Sequence, residues 1–314
     1  MDNYQKNELT RLVGKGVRFG NPMAPYTTFR VGGRAEAFYE TNSLEELRRV
    51  IVYLNSEDIP YLVVGRGSNL LVKDEGIEGV VILLRGGLAE LSAPGSPITA
   101  DTCDAHESDL SILAGAGLPL ADLLIYCRNS GFGGLEFLAG IPGTVGGAVV
   151  MNAGAFGKQI GDRVIEIHVV TPKGDVEMRN RSRLKFSYRL LQIEKGFVIV
   201  RASLRVDIED GETVGGRIAS YLKRRKERQP VEYPSAGSVF KNPPGDYAGR
   251  LIEQVGLKGK KIGGAMISEK HANYIVNTGG ARAKDILALL SLAQEKVRKE
   301  TGIQLEPEIQ VAGS

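Results

Sequence analysis

Apolar positions recur along this chain in two alternating rhythms, one of about three and a half residues and one of two. The helical rhythm is clearest where Leu44, Leu47, Val50, Ile51 and Leu54 mark one face behind a capping-box pair, Ser43 and Glu46. It returns at Leu120, Leu123, Leu124 and Cys127, with Pro119 placed for the first helical position and Gly131 for the stop. It returns again between Lys284 and Thr301, where Ile286, Leu289, Leu290, Ala293 and Val297 share a face. A helix after Asp210-Gly211 is expected to turn Ile218 and Leu222 inward, and a short one from Ala248 ends at Gly256. Residues 1–26 read as a short helix and a loop.

The period-two rhythm predicts strands at 35–39 and 163–171, the unbroken apolar runs at 60–65 and 80–84 read as buried strands, and 197–206 and 273–277 read as further strands. Residues 176–178 return as a hairpin over the turn at 172–175. The stretch RSRLKFSYR, ending in Tyr188-Arg189, is too short for a strand pair of its own. At the end, Ile303, Leu305, Pro307, Ile309 and Val311 alternate with Gln304, Glu306, Glu308 and Gln310, which predicts a half-buried strand. The strand–helix–strand order places the chain among proteins that mix sheet and helix.

Residues 133–157 break both rhythms. GGLEFLAGIPGTVGGAVVMNAGAFG holds eight glycines and one charge, Glu136. A linker would be more polar, and a core element would carry fewer glycines. Two readings remain: a tightly folded buried loop, or backbone pressed against a flat ligand.

Composition narrows the setting. The chain has 314 residues, 42% hydrophobic and 25% charged, with net charge +3. That suits a globular protein and gives no support to a nucleic-acid binder. The basic run at 223–228 lacks interleaved aromatics and reads as a solvated helix end. Cys103 and Cys127 lack metal or CxxC spacing, which points to a reduced, cytoplasmic chain. The N-terminus is not a signal peptide, and no apolar run reaches the ~20 residues of a membrane span. The cluster DTCDAHESD at 101–109 lacks regular ligand spacing and reads as a solvated loop, so no metal is expected. His168, beside Glu166, reads as a structural histidine. GRGSNL at 65–70 follows a strand but fails the GxGxxG pattern, because Leu70 stands where the third glycine belongs. Its two glycines and small polar residues can still turn backbone N–H groups toward a phosphate.

Seven stretches, in order and across nearly the whole chain, resemble the UDP-N-acetylenolpyruvylglucosamine reductase (UDP-N-acetylmuramate dehydrogenase) family. They are TTFRVGGRAE, VGRGSNLLV, GLEFLAGIPGTVGGAVVMNAGAFG, FSYR, AGSVFKNP, GGAMISEKHANYIVN and LEPE. The resemblance implies an α+β fold that is not a Rossmann fold. It would comprise a two-part FAD-binding domain of the vanillyl-alcohol-oxidase (PCMH) type over residues 1–208, with parts at about 1–70 and 71–208. An α/β substrate-binding domain would span 209–302, and a last strand, 303–314, would return to the cleft. It implies FAD as cofactor and NADPH as co-substrate. Hydride would pass from flavin N5 to C3 of UDP-N-acetylglucosamine enolpyruvate and a proton to C2, giving UDP-N-acetylmuramate for peptidoglycan.

By the same resemblance, Thr28, Gly65, Arg66, Gly67, Ser68, Asn69 and Leu70 contact FAD. So do Gly134, Gly140, Ile141, Pro142, Gly143, Gly146, Gly147, Asn152, Ala153 and Gly154. Arg189 stabilises the charge that develops on the substrate carboxylate. Ser238 donates the proton, and Glu308 hydrogen-bonds the carboxyl. Tyr188, Arg228, Asn242 and His271 are expected to contact the nucleotide-sugar. No Tyr-bearing insertion interrupts 202–210, which matches a shorter, lid-lacking subfamily. The expected partners are small molecules, with no nucleic acid and no membrane insertion, and the expected state is a monomer. The alternatives are an FAD-dependent sugar or lactone oxidase on the same fold and a non-catalytic flavin or nucleotide sensor.

Overall fold

The computed structural model describes residues 1–92 and 110–313. The acidic cluster at 101–109, with Cys103, lies outside the described residues. Seven helices are described: α1 (Asn3–Val13), α2 (Leu44–Ser56), α3 (Leu120–Ser130), α4 (Val145–Val150), α5 (Gly211–Arg228), α6 (Ala248–Gln254) and α7 (Ala283–Thr301). None is long and apolar enough to cross a membrane. The chain divides into two compact units. The first holds residues 1–17, 39–65 and 82–222, and the second holds 18–38, 66–81 and 223–314.

The first unit carries a five-stranded sheet in the order Val176–Asn180, Val164–Val170, Val198–Arg205, Ser111–Gly115, Leu91–Ser92. Every neighbouring pair is antiparallel. A doubly wound Rossmann sheet is parallel, so this sheet has the wrong sense for one, in keeping with the failed glycine fingerprint. Helix α2 buries Leu47, Val50, Ile51 and Leu54, and the Ser43 side chain accepts from the Glu46 N–H. Helix α3 buries Leu120, Leu123, Leu124 and Cys127 and stops at Gly131 in the left-handed region (φ 68°). Pro119 is its N-cap, one position earlier than its fixed φ suggests. Burial among apolar neighbours pushes the Cys127 thiol up to about 12, with Glu136 adding to the shift, so Cys127 packs and does not react.

The second unit is built on α7. Its buried face is Ile286, Leu289, Leu290, Ala293 and Val297. Each large apolar side chain there contributes about 1.5–3 kcal/mol. The Asp74 carboxylate accepts from the Ala283 and Lys284 N–H groups (3.0 and 3.1 Å) at the helix start, where negative charge suits the helix dipole. Phe29, Leu71, Val239, Phe240, Leu251 and Leu305 join the same core.

Other expectations change as well. Residues 17–22 form a strand, not a loop. RSRLKFSYR does pair: Lys185–Ser187 and Leu190–Gln192 form an antiparallel hairpin. Tyr188-Arg189 is its two-residue turn, closed by Arg189 at φ 60°. On α5 only Val214 is buried, and Leu222 is 45% exposed. The face there is set by Gly215-Gly216 and the many charges, which leave too few apolar groups for a stripe. At the C-terminus Leu305 and Ile309 are buried, but Pro307 and Val311 are not, and only Gln310–Ala312 is a regular strand.

The turn at 268–274 lies between strands Ala265–Ile267 and Ile275–Asn277. Asn273, expected to start a strand, sits in this turn instead. Its side chain pairs with Phe240 as a strand would: Oδ1 accepts from the Phe240 N–H (2.9 Å) and Nδ2 donates to the Phe240 carbonyl (2.8 Å). His271 is half-buried with its ring edge against Tyr274, its Nδ1 accepts from the Asn273 N–H (3.3 Å), and partial burial lowers its pKa.

Two outcomes follow. Asn273→Ala strips two buried backbone groups of their partners, at about 1–3 kcal/mol each. Urea unfolding of the variant should therefore show a loss of about 2–6 kcal/mol, and a loss below about 0.5 kcal/mol would contradict the pairing. His271 binds its proton less readily folded than unfolded, so it costs stability as pH falls below its ordinary value of 6.5. The cost stops growing once pH is below the folded-state pKa. Stability measured against pH should fall more steeply through that window in the native protein than in His271→Gln. Parallel curves would contradict it.

Candidate active site

In the second unit the backbone does the assembling. The Thr28 N–H donates to the Gly67 carbonyl (3.2 Å). Gly67 has φ +59°, and a Cβ on it would lie 2.1 Å from the Tyr26 carbonyl oxygen, so only glycine fits there. Two residues on, Asn69 meets the C-terminal segment. Its Nδ2 donates to the Glu308 carbonyl (3.0 Å), and the Gln310 N–H donates to its carbonyl (2.8 Å). From there Gln310–Ala312 runs parallel to Leu70–Val72. On its other side the same segment meets the AGSVFKNP stretch. Glu308 N–H donates to the Val239 carbonyl (2.8 Å), Lys241 N–H to the Glu306 carbonyl (2.9 Å), and Phe240 bridges Pro307. Lys241 Nζ also pairs with Glu306 Oε2 (3.2 Å). Ser238 bridges Tyr274, just after Gly237 at φ +75°. Thr28, Gly67, Asn69, Ser238 and Glu308, distant in sequence, are therefore brought onto one stretch of paired backbone.

Asn242 and His271 converge on the start of α6. Asn242 Oδ1 accepts from the Ala248 N–H (3.1 Å), which leaves its Nδ2 to donate elsewhere. A Cβ on Gly249 would stand 3.2 Å from His271 Cε1. Because His271 Nδ1 accepts a backbone N–H, its proton sits on Nε2, and its lowered pKa keeps the ring neutral at pH 7. Arg228 is exposed at the end of α5. Arg66 is exposed beside half-buried Ser68.

In the first unit several glycines of the candidate cofactor set are fixed by the chain itself. A Cβ on Gly65 would lie 2.5 Å from Thr144 Oγ1, and one on Gly146 would lie 2.8 Å from the Ala116 Cβ. One on Gly134 would strike Arg163 and Asp207 at 2.8 Å. The Gly134 N–H donates to buried Glu136 (2.9 Å), whose other oxygen takes Arg217 Nη1 (3.1 Å). Other positions stay open. Gly140, Pro142 and Gly147 are exposed between buried neighbours, with Ile141 and Gly143 half-buried. A Cβ on Gly147 would meet only Thr144 Oγ1, at 3.5 Å. An apolar loop with uncovered glycine backbone, on an otherwise buried segment, fits a flat group such as a flavin ring.

Arg189 is half-buried on its left-handed turn, with Nη1 donating to the Gly154 carbonyl (2.9 Å) and the Tyr188 ring 5.5 Å from its guanidinium carbon. Asn152 and Ala153 lie just before Gly154. The Asn152 side chain spends both N–H donors and one acceptor on the protein, so a cofactor would meet chiefly its backbone. Arg189 and Tyr188 belong to the first unit, and Ser238, Glu308, Asn242 and His271 to the second. Sequence reasoning missed Asn152, Asn273 and Glu136 as organisers of these segments. Their partners are backbone groups, an arginine and the Gln159 amide, which no periodicity announces. The buried charge of Glu136 in an apolar stretch was the one visible signal.

A family profile described as an FAD binding domain matches residues 35–178. One described as the C-terminal domain of UDP-N-acetylenolpyruvoylglucosamine reductase matches residues 229–312. The chain is 42% identical over 312 residues to a protein of that name from Syntrophus aciditrophicus, covering 99% of this chain and 97% of the other. It is 44% identical over 292 residues to one from Geobacter metallireducens, covering 93% and 92%. The crystal structure of the reductase from Thermus caldophilus superimposes with a TM-score of 0.78 at 37% identity, covering 95% of this chain and 98% of that one. The fold is thus the one the motifs implied, an FAD-binding domain followed by the reductase C-terminal domain, and the chain belongs to the UDP-N-acetylenolpyruvoylglucosamine reductase family.

Proposed function

We propose that this protein reduces UDP-N-acetylglucosamine enolpyruvate to UDP-N-acetylmuramate with electrons from NADPH, as a step in making peptidoglycan precursor. The observation that carries the reading is the pairing of the Ser238 and Glu308 segments in the second unit, in a chain that has Arg189 on a fixed turn. FAD would lie on the backbone of the 65–70 turn and the 140–147 loop, and when bound it supplies the hydride for C3. We assign the FAD-binding part to residues 1–208, the substrate-binding part to 209–302 and the last strand to 303–314.

The chain's own groups then handle charge and proton. Hydride addition to an alkene joined to a carboxylate builds negative charge at C2 and on the carboxylate. Arg189 is a permanent cation with a forked donor set and stabilises that charge as it forms. Its left-handed backbone supports this assignment, because strained non-glycine residues gather where function overrides local preference. Ser238 then delivers a proton to C2. A hydroxyl is a weak acid, so it serves only against a strongly basic enolic carbon. Glu308 holds the carboxyl of the intermediate. Tyr188, Arg228, Asn242 and neutral His271 contact the nucleotide-sugar, with the exposed Tyr188 at the hairpin tip covering the diphosphate in place of a separate lid. The protein acts as a monomer in the cytoplasm.

Ser238→Ala tests the division of labour. Rapid mixing of the FAD-loaded variant should show reduction by NADPH within about 2-fold of the native rate. Reoxidation by the enolpyruvate should be slower by about 10²–10⁴-fold. An unchanged second half-reaction removes Ser238 from its role. Rapid oxygen consumption with an alcohol substrate would instead support the oxidase reading.

A further inference from the structure

Asn152 is 2% exposed, sits in the left-handed region (φ 41°), and carries three hydrogen bonds to other parts of the chain. Its Nδ2 donates to the Ser187 carbonyl (2.8 Å) and to Gln159 Oε1 (2.9 Å). Its Oδ1 accepts from the Gly161 N–H (3.0 Å). Ser187 is the last residue before the Tyr188-Arg189 turn, and it pairs with Leu190 just after it. The turn is thus held at its base by Asn152 and at its tip by the bond from Arg189 Nη1 to the Gly154 carbonyl. Gly154 pairs with Gln159, the residue that Asn152 also holds.

From these bonds we infer that Asn152 is the positioning residue for Arg189, tying the hairpin that carries the arginine to the glycine-rich stretch. The inference rests on the role proposed above for Arg189. A two-strand hairpin this short is marginal on its own. A guanidinium displaced by about 1 Å loses much of its effect on a developing charge. Asparagine suits the place for two reasons. It tolerates the left-handed region better than other side chains, and it joins two donors and an acceptor on a short stem. The site has no slack, since a Cβ on Gly161 would lie 2.8 Å from both Asn152 Oδ1 and the Phe186 ring. Arg181 closes the same corner, with Nε donating to the Gly161 carbonyl (3.0 Å) and Nη1 to the Leu184 carbonyl (3.0 Å).

The test is a double-mutant cycle on the FAD-loaded protein. Asn152→Gly deletes the side chain and keeps the backbone free to stay left-handed. Asn152→Asp keeps the Gly161 acceptor and sets a carboxylate against the Ser187 carbonyl, so it decides the question if the glycine variant does not fold. Amide hydrogen exchange over residues 185–192 should speed up in either variant. Reoxidation by the enolpyruvate should slow by about 10–100-fold, with the loss concentrated in that half-reaction. In an Arg189→Lys background the same change at 152 should cost less than about 2-fold, because residues that act as a unit are not additive. Full additivity overturns the inference. So does a weakened flavin spectrum with unchanged hairpin exchange, which would place Asn152 at the cofactor. If Arg189→Lys alone reoxidises at the native rate, the role of Arg189 falls, and the inference falls with it. Loss in Arg189→Lys combined with additivity removes only the inference.

Discussion

The second unit depends on one extended segment, residues 305–312, being paired on both sides. One edge takes Asn69 and the strand Leu70–Val72, and the other takes Val239 and Lys241. A peptide backbone has one donor and one acceptor at every residue, and buried ones must be matched. By meeting that demand with two distant stretches, the segment fixes where Glu308 and Ser238 stand relative to the glycine turn at 67. Leu305 and Ile309 anchor it in the α7 core, and Asn273 secures Phe240 from the far side. Every one of these pairings joins residues far apart in sequence. The loop-closure entropy they cost is recovered only when the core forms with them.

The glycine-rich stretch works differently. At Gly134 and Gly146 the missing side chain makes room for the protein's own atoms, so the tight-loop reading accounts for these positions. At Gly140 and Gly147 the backbone is left uncovered. The tight-loop reading of residues 133–157 therefore holds at Gly134 and Gly146, while the open backbone at Gly140 and Gly147 suits the flavin contact proposed above. The close packing of the first group is what keeps the second group in one shape. Glu136 contributes to the same rigidity: a buried carboxylate must be paired, and Arg217 and the Gly134 N–H supply the partners.

What could be read from the sequence follows from how local each feature is. Helices α2, α3 and α7 were legible because each repeats an apolar face over several turns and carries its own start or stop signal. Helix α5 misled at Leu222, since two apolar residues among many charges do not define a face. The 185–192 hairpin was invisible because its turn is Tyr188-Arg189, without the Asn-Gly or Asp-Gly chemistry that announces such turns. Asn152 and Asn273 look like any loop residue until their partners, 35 and 33 residues away, are known. The candidate catalytic residues were legible only through the family motifs. No spacing rule joins residues 189, 238 and 308.

Where the electrons go is tested most directly by an anaerobic optical titration. NADPH should bleach the flavin absorbance of the purified protein, and one equivalent of UDP-N-acetylglucosamine enolpyruvate should restore it, with UDP-N-acetylmuramate as the product. A flavin that NADPH bleaches and the enolpyruvate leaves reduced would contradict the account.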